Sequence, residues 1–294
     1  MIDHLLPFAL ISPANPVFRF DLRRKSWPRN SEDLVRYSRD VILSCLFLFG
    51  VFWCILLGSQ SRYSASSAAN ITATIVLFAT AGITLASDFY CAIVTVGGLH
   101  RQLTSGDWDL LRLTGQREED IFRAKLAVAQ IRAWRMMSIE TAIHAIGAEL
   151  VILSATYSWL TSTYRRGNWV EMYLIVAITG LMAFYLIEPF WKMRAVVGLG
   201  MAVSAQVQNL TFAVLGALGA VFAMRLLEGL LLGALFYLLV ALARFARSDV
   251  AGMCLVTIFV VAIGFSLRFF YRMIARAATR RAFKKLFQVE WSTL

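Results

Sequence analysis

The chain has 294 residues, 59% of them hydrophobic and 16% charged, with a mean hydropathy of +0.66. That balance excludes an ordinary soluble domain and makes lipid the solvent for most of the surface. The net charge of +11 would suit a nucleic-acid partner, but 21 of the 29 Lys and Arg fall in three blocks, at 19–39, 101–135 and 268–285. The positive-inside rule places such blocks in the cytoplasm, so topology accounts for the charge and no nucleic acid is called for.

The apolar residues gather into runs of roughly 18 to 25, enough to cross a hydrocarbon core of about 30 Å at about 1.5 Å per residue. Helices follow, because a backbone in lipid must satisfy its own hydrogen bonds. The expected fold is an all-α integral membrane protein with six transmembrane helices and, before the last span, a re-entrant or external helical hairpin. Its place is the cell (cytoplasmic) membrane, multi-pass, with both termini cytoplasmic.

Residues 1–40 read as a cytoplasmic or interfacial segment. The opening dozen carries Asp3 and His4, lacks a basic leading stretch and runs into Pro13, unlike a cleaved signal peptide. The transmembrane domain, 41–273, begins with a span at 41–58 and a Ser- and Ala-rich outer loop at 59–70. A second span at 71–98 leads into a cytoplasmic polar segment at 100–135. The third span, 136–160, turns at Arg165, Arg166 and Gly167. The fourth, 170–187, ends at Glu188-Pro189, with Lys192 and Arg194 as cytoplasmic flanking charges.

Residues 195–209 form either an interfacial helix or the start of a long fifth span, which occupies 210–224 before Arg225 and Glu228 interrupt it. Residues 226–246 are long enough to cross, but a seventh pass would put the last basic block outside, so they are assigned to the hairpin. The sixth span is 250–270, and 274–294 is a basic cytoplasmic tail. Cys45, Cys54, Cys91 and Cys254 lie in apolar runs without CxxC spacing and read as packing residues.

The polar segment carries the pattern with most chemical content: Gly106, Asp107, Trp108, Asp109, Leu110, Leu111, Arg112, Leu113, Thr114 and Gly115. Gly115 separates two short helical pieces. In the second, Glu118, Glu119 and Asp120 suit the first turn of a helix, and Glu119 is spaced to pair with Arg123. In the first, Trp108, Leu110, Leu111 and Leu113 lie among charges. They read either as side chains at the membrane interface or as an apolar anchor for a cytoplasmic partner, oriented by Asp107 and Asp109.

These residues resemble a motif of the permease subunits of ATP-binding-cassette (ABC) transporters of the type-2, exporter class. The family pattern after the second span is close to Gly-Thr-Trp-Glu-Leu-Leu, Leu-Thr-Pro, acidic-Ile and Gly-Lys. Gly106, Trp108, Asp109, Leu110, Leu111, Leu113, Thr114, Asp120, Ile121 and Lys125 match it, while Asp107, Gly115 and Ala124 depart from it. Asn15-Pro16-Val17 with Arg19, Leu22 and Arg23, and the stretch at 199–204, look similar to the same family.

The resemblance implies six spans, an interfacial N-terminal helix and a coupling helix resting on a separate ATP-binding subunit. It also implies a pairing with a second permease copy or a homologous permease. No Gly-Lys dipeptide occurs, hence no phosphate-cradling GxxxxGK[ST] loop. The chain is therefore expected to have no enzymatic activity and no cofactor, ATP and Mg belonging to the partner.

Asp88, Glu140, His144 and Glu149 are ionisable groups in or near expected spans. An acidic group at a helix centre costs about 3 kcal/mol, so each should face protein or water. Glu140 and His144 share a helix face, which reads as a packed polar pair or as the lining of a translocation path. HExxH is absent, and no metal site is expected. Two other functions fit the sequence: an intramembrane enzyme built on Asp88, Glu140 and His144, and a non-transporting membrane anchor for an ATPase-driven complex.

Overall fold

A computed structural model describes residues 15–23, 31–59, 62–113, 115–166, 169–243 and 249–288. Within them, the side chains of residues 22, 23, 31, 52–75, 77, 107, 109, 153–172, 174, 243, 249, 250 and 288 lie outside the description. Helices are α1 (Pro16–Arg23), α2 (Ser31–Ser59), α3 (Arg62–Thr104), α4 (Asp107–Arg112), α5 (Glu118–Arg166), α6 (Trp169–Ser204), α7 (Leu210–Ala243) and α8 (Asp249–Gln288), with no strand among the described residues. Four stretches among those residues are long and apolar enough to cross a membrane: Phe78–Thr104, Ile175–Ser204, Leu210–Leu242 and Ala251–Phe287.

Local chemistry sets several helix ends. Asn15 Oδ1 accepts from the amides of Val17 and Phe18 at 2.9 and 3.2 Å, capping α1, while Pro16 fills the first helical position, where an N–H is not needed. Glu32 and Asp33 open α2, and Glu118, Glu119 and Asp120 open α5, each favoured by the helix dipole. Asn209 Oδ1 accepts from the amide of Thr211 at 2.9 Å and starts α7 after the turn at 205–209.

Side-chain pairings give the directions of the long helices. α6 and α8 run parallel: Tyr173 meets Met253, and Glu188 meets Tyr271. α7 runs antiparallel to α6, since Glu188 meets Arg225 while Val203 faces Gly216. α3 runs parallel to α6, with Asp88 against Lys192 and Thr95 against Gly200. α5 runs antiparallel to α6, pairing Glu140 with Lys192 and His144 with Tyr185. Small residues permit these approaches: Gly198 faces the Ala275 carbonyl and Ala278 of α8, and Gly200 faces Thr95 of α3.

Five sequence expectations are revised. Residues 62–70 are helical and belong to α3 rather than to an outer loop. The second helical piece of the polar segment is not short, because α5 runs unbroken from Glu118 to Arg166. α6 passes through Pro189 and continues to Ser204, so residues 195–204 extend the fourth long helix. No hairpin interrupts 226–243, because α7 is one helix from Leu210 to Ala243. Arg225 and Glu228 look like a break in sequence, but their charges are satisfied by neighbouring helices, and the backbone never has to turn. Residues 274–288, read as the tail, continue α8.

Most of the buried apolar core lies in one half of the bundle, built by α1, α4, the beginnings of α2, α5 and α7 and the ends of α3, α6 and α8. In the other half, large apolar side chains such as Phe78, Leu230, Phe236, Tyr237, Ile258 and Phe265 are exposed, the surface a helix presents when lipid is its solvent.

Candidate functional site

The polar segment folds into a tight elbow between α3 and α5. Gly106 and Gly115 adopt φ of 73° and 71°, a region open to glycine but strained for other residues, so α4 is bounded by two glycine corners. Its Trp108 is 4% exposed and lies against Phe287 of α8, ring centroids 5.8 Å apart. Phe283 joins this cluster, 4.7 Å from Phe287 and 5.6 Å from Phe122 of α5.

Arg112 closes the elbow. Its guanidinium bonds Glu118 Oε1 at 2.9 Å and sits 5.6 Å above the Phe287 ring. Leu111 packs against the core, whereas Leu110 and Leu113 are 64% and 82% exposed. The four apolar residues expected to form one anchor thus divide into two roles. Trp108 and Leu111 seat α4 on its own chain, and Leu110 and Leu113 point outward. Asp107 and Asp109 lie within α4 and the elbow includes Thr114, but the side chains of the two Asp and all of Thr114 lie outside the described residues. The expected Glu119–Arg123 pair forms at 3.2 Å.

The N-terminal motif meets the same region. α1 buries Val17 and Phe18, and Asp21 accepts from Lys125 of α5 at 2.6 Å, the two side chains 9% and 7% exposed. Gly115 marks a departure in geometry as well as in sequence. A proline, held near φ −65°, cannot adopt the conformation found there.

A second constellation occupies the middle of the bundle. Lys192 of α6 lies between Asp88 of α3, at 2.9 Å, and Glu140 of α5, and all three side chains are fully buried. Arg225 of α7 bonds Asp88 Oδ2 at 2.7 Å, Glu228 Oε2 at 2.6 Å and Glu188 Oε1 at 3.3 Å. The Tyr271 hydroxyl of α8 donates to Glu188 Oε1 at 3.0 Å. Four carboxylates, two cations and a phenol from five helices form one continuous layer. Buried charges persist only when so paired.

Sequence reasoning found Asp88 and Glu140 but missed the rest of the layer. Lys192, expected as a flanking charge, is instead a fully buried cation. The available signal was the spacing of opposite charges inside apolar runs, Glu188 with Lys192 and Arg225 with Glu228. Glu149 stands apart from the layer, half-buried on α5.

His144 has a specific structural partner. Pro189 has no N–H to give to the carbonyl four residues before it, Tyr185, and His144 Nδ1 lies 3.1 Å from that oxygen. A carbonyl only accepts, so Nδ1 carries the proton. Nε2 then accepts from the Thr84 hydroxyl at 3.0 Å, and the imidazole stacks on the Tyr185 ring at 3.9 Å. Both ring nitrogens are engaged. Among the described residues no group of three or more His, Cys, Asp or Glu could hold a metal ion.

Long apolar helices, a lipid-type exposed surface and a buried ionic layer define a helical, multi-pass membrane protein. No family model matches the chain, and no curated protein or solved structure matches it either.

Proposed function

We propose that this chain is the membrane-spanning permease subunit of an ABC exporter. It would form a translocation path with a second permease copy or a homologous permease and couple through α4 to a separate ATP-binding subunit that holds ATP and Mg. α2, α3, α5, α6, α7 and α8 would be the six passes, with both termini cytoplasmic. The observation that carries the reading is the elbow. α4 is fastened to α5 and α8 through Trp108 and Arg112 while presenting Leu110 and Leu113 outward, the arrangement of an apolar contact that transmits force into the bundle.

Two further features support it. The sequence-distant stretches that resemble the family, at 15–23 and around Lys125, meet through the Asp21–Lys125 pair. The ionic layer ties α3, α5, α6, α7 and α8 together, so a push on the elbow would reach helices joined to one another. His144, spent on Tyr185 and Thr84, suits packing better than acid–base chemistry.

The test is purification from the native membrane in mild detergent, identification of what co-purifies and an ATP hydrolysis assay. Leu110→Asp with Leu113→Asp is expected to release an ATP-binding subunit and its activity while the chain elutes as before. Retention of that subunit by the double variant would sink the coupling assignment. Absence of any ATPase from the wild-type preparation would remove the ABC reading itself.

A further inference from the structure

The outward face of α8 changes character along its length. Ile258, Val261 and Phe265 are exposed apolar residues, and Phe269 and Met273 continue them. Arg268 and Arg272 are interleaved with the last two, and Arg276, Arg280 and Lys284 carry on the exposed face alone. Arg268, Arg272, Arg276, Arg280 and Lys284 recur every four residues and stack into one cationic stripe. α8 contains no acidic residue after Asp249, and among the described residues none of the five has a carboxylate partner. Like charges at this spacing repel one another, so the stripe favours an anionic cover.

The height of the stripe selects the anion. The headgroup layer on one side of a bilayer is about 5–8 Å deep, and four residues of helix rise about 6 Å. Only one or two rungs can therefore lie within it. Those are Arg268 and Arg272, the rungs flanked by exposed Phe265, Phe269 and Met273. Arg280 and Lys284 stand about 18 Å or more beyond Arg268 along the axis, out of reach of headgroups.

We propose that Arg268 and Arg272 bind the phosphate of an anionic phospholipid of the cytoplasmic leaflet, whose acyl chains lie along Phe265 and Phe269. Guanidinium presents paired donors to phosphate oxygens, and the neighbouring aromatics are apolar surface for the chains. The inference rests on α8 crossing the membrane and is independent of the transport reading.

The full chain, purified and exchanged into mixed micelles of phosphatidylglycerol and phosphatidylcholine, is examined by native mass spectrometry for the lipids it retains. The wild type is expected to retain phosphatidylglycerol preferentially. Arg268→Gln with Arg272→Gln should lower that preference by about thirtyfold, while Arg280→Gln with Lys284→Gln leaves it unchanged. Arg268→Lys with Arg272→Lys keeps the charge but not the paired donors and should lose part of the preference, and it serves as the readout if the Gln pair elutes abnormally. Equal losses in the two Gln pairs, no preference in the wild type, or release of the lipid by inorganic phosphate would each overturn the proposal.

Discussion

Pro189 illustrates how a residue that breaks a helix in isolation is accommodated in a bundle. The Tyr185 carbonyl it orphans is taken by His144 from the neighbouring helix, so the backbone defect and the buried imidazole satisfy each other. His144→Ala should cost about 1–3 kcal/mol by leaving that carbonyl unpaired. Adding Pro189→Ala, which returns the in-helix donor, should recover part of the loss. A double-mutant cycle on thermal unfolding in detergent measures the coupling, and additive effects would rule out the linkage. Lys192 is a second residue-scale dependence. Lys192→Met leaves Asp88 and Glu140 without their shared cation and should cost about 3–5 kcal/mol. Glu140→Gln in that background should restore part of the stability, and failure to do so would mean that the layer is not held by charge pairing.

At the scale of the element, α4 has six residues, too few to be stable alone, and its position comes from what surrounds it. Two glycine corners set its direction, Trp108 seats it on Phe287, and Arg112 ties it to Glu118. Trp108→Ala should therefore cost about 3–5 kcal/mol of bundle stability, read as a lowered unfolding temperature, whereas Leu110→Asp with Leu113→Asp should leave it unchanged. If Trp108→Ala has no effect on unfolding, Trp108 is not the seat. Gly115→Pro, which would bring the corner closer to the family pattern, should instead strain it by about 1–3 kcal/mol, because φ of 71° is closed to proline.

For the whole molecule, the course of α7 decides the topology. As a single helix from Leu210 to Ala243 it carries the chain from the turn at 205–209 to the opposite side, and α8, parallel to α6, brings it back. Gln208 is exposed in that turn. Gln208→Cys should react with an impermeant thiol reagent only after the cytoplasmic side is opened, in a background from which the native cysteines have been removed. Labelling from outside would reverse the assignment.

Composition and the length of the apolar runs were enough to establish an all-helical membrane protein, because the cost of unpaired backbone in lipid leaves few alternatives. The elbow between α3 and α5 was also readable, since Gly106, Trp108 and the acidic start of α5 are local signals. Asp88 and Glu140 were identifiable as buried acids from the expense of charge in an apolar run. Tertiary structure alone decided which charges pair. Lys192 and Arg225 looked like a membrane flank and a helix break because a one-dimensional window cannot see the carboxylates that neutralise them. It decided too that Trp108 faces inward while Leu110 and Leu113 face out, because six residues hold no periodicity long enough to specify a face. Those outcomes depend on side chains brought from five helices, and only packing sets their distances.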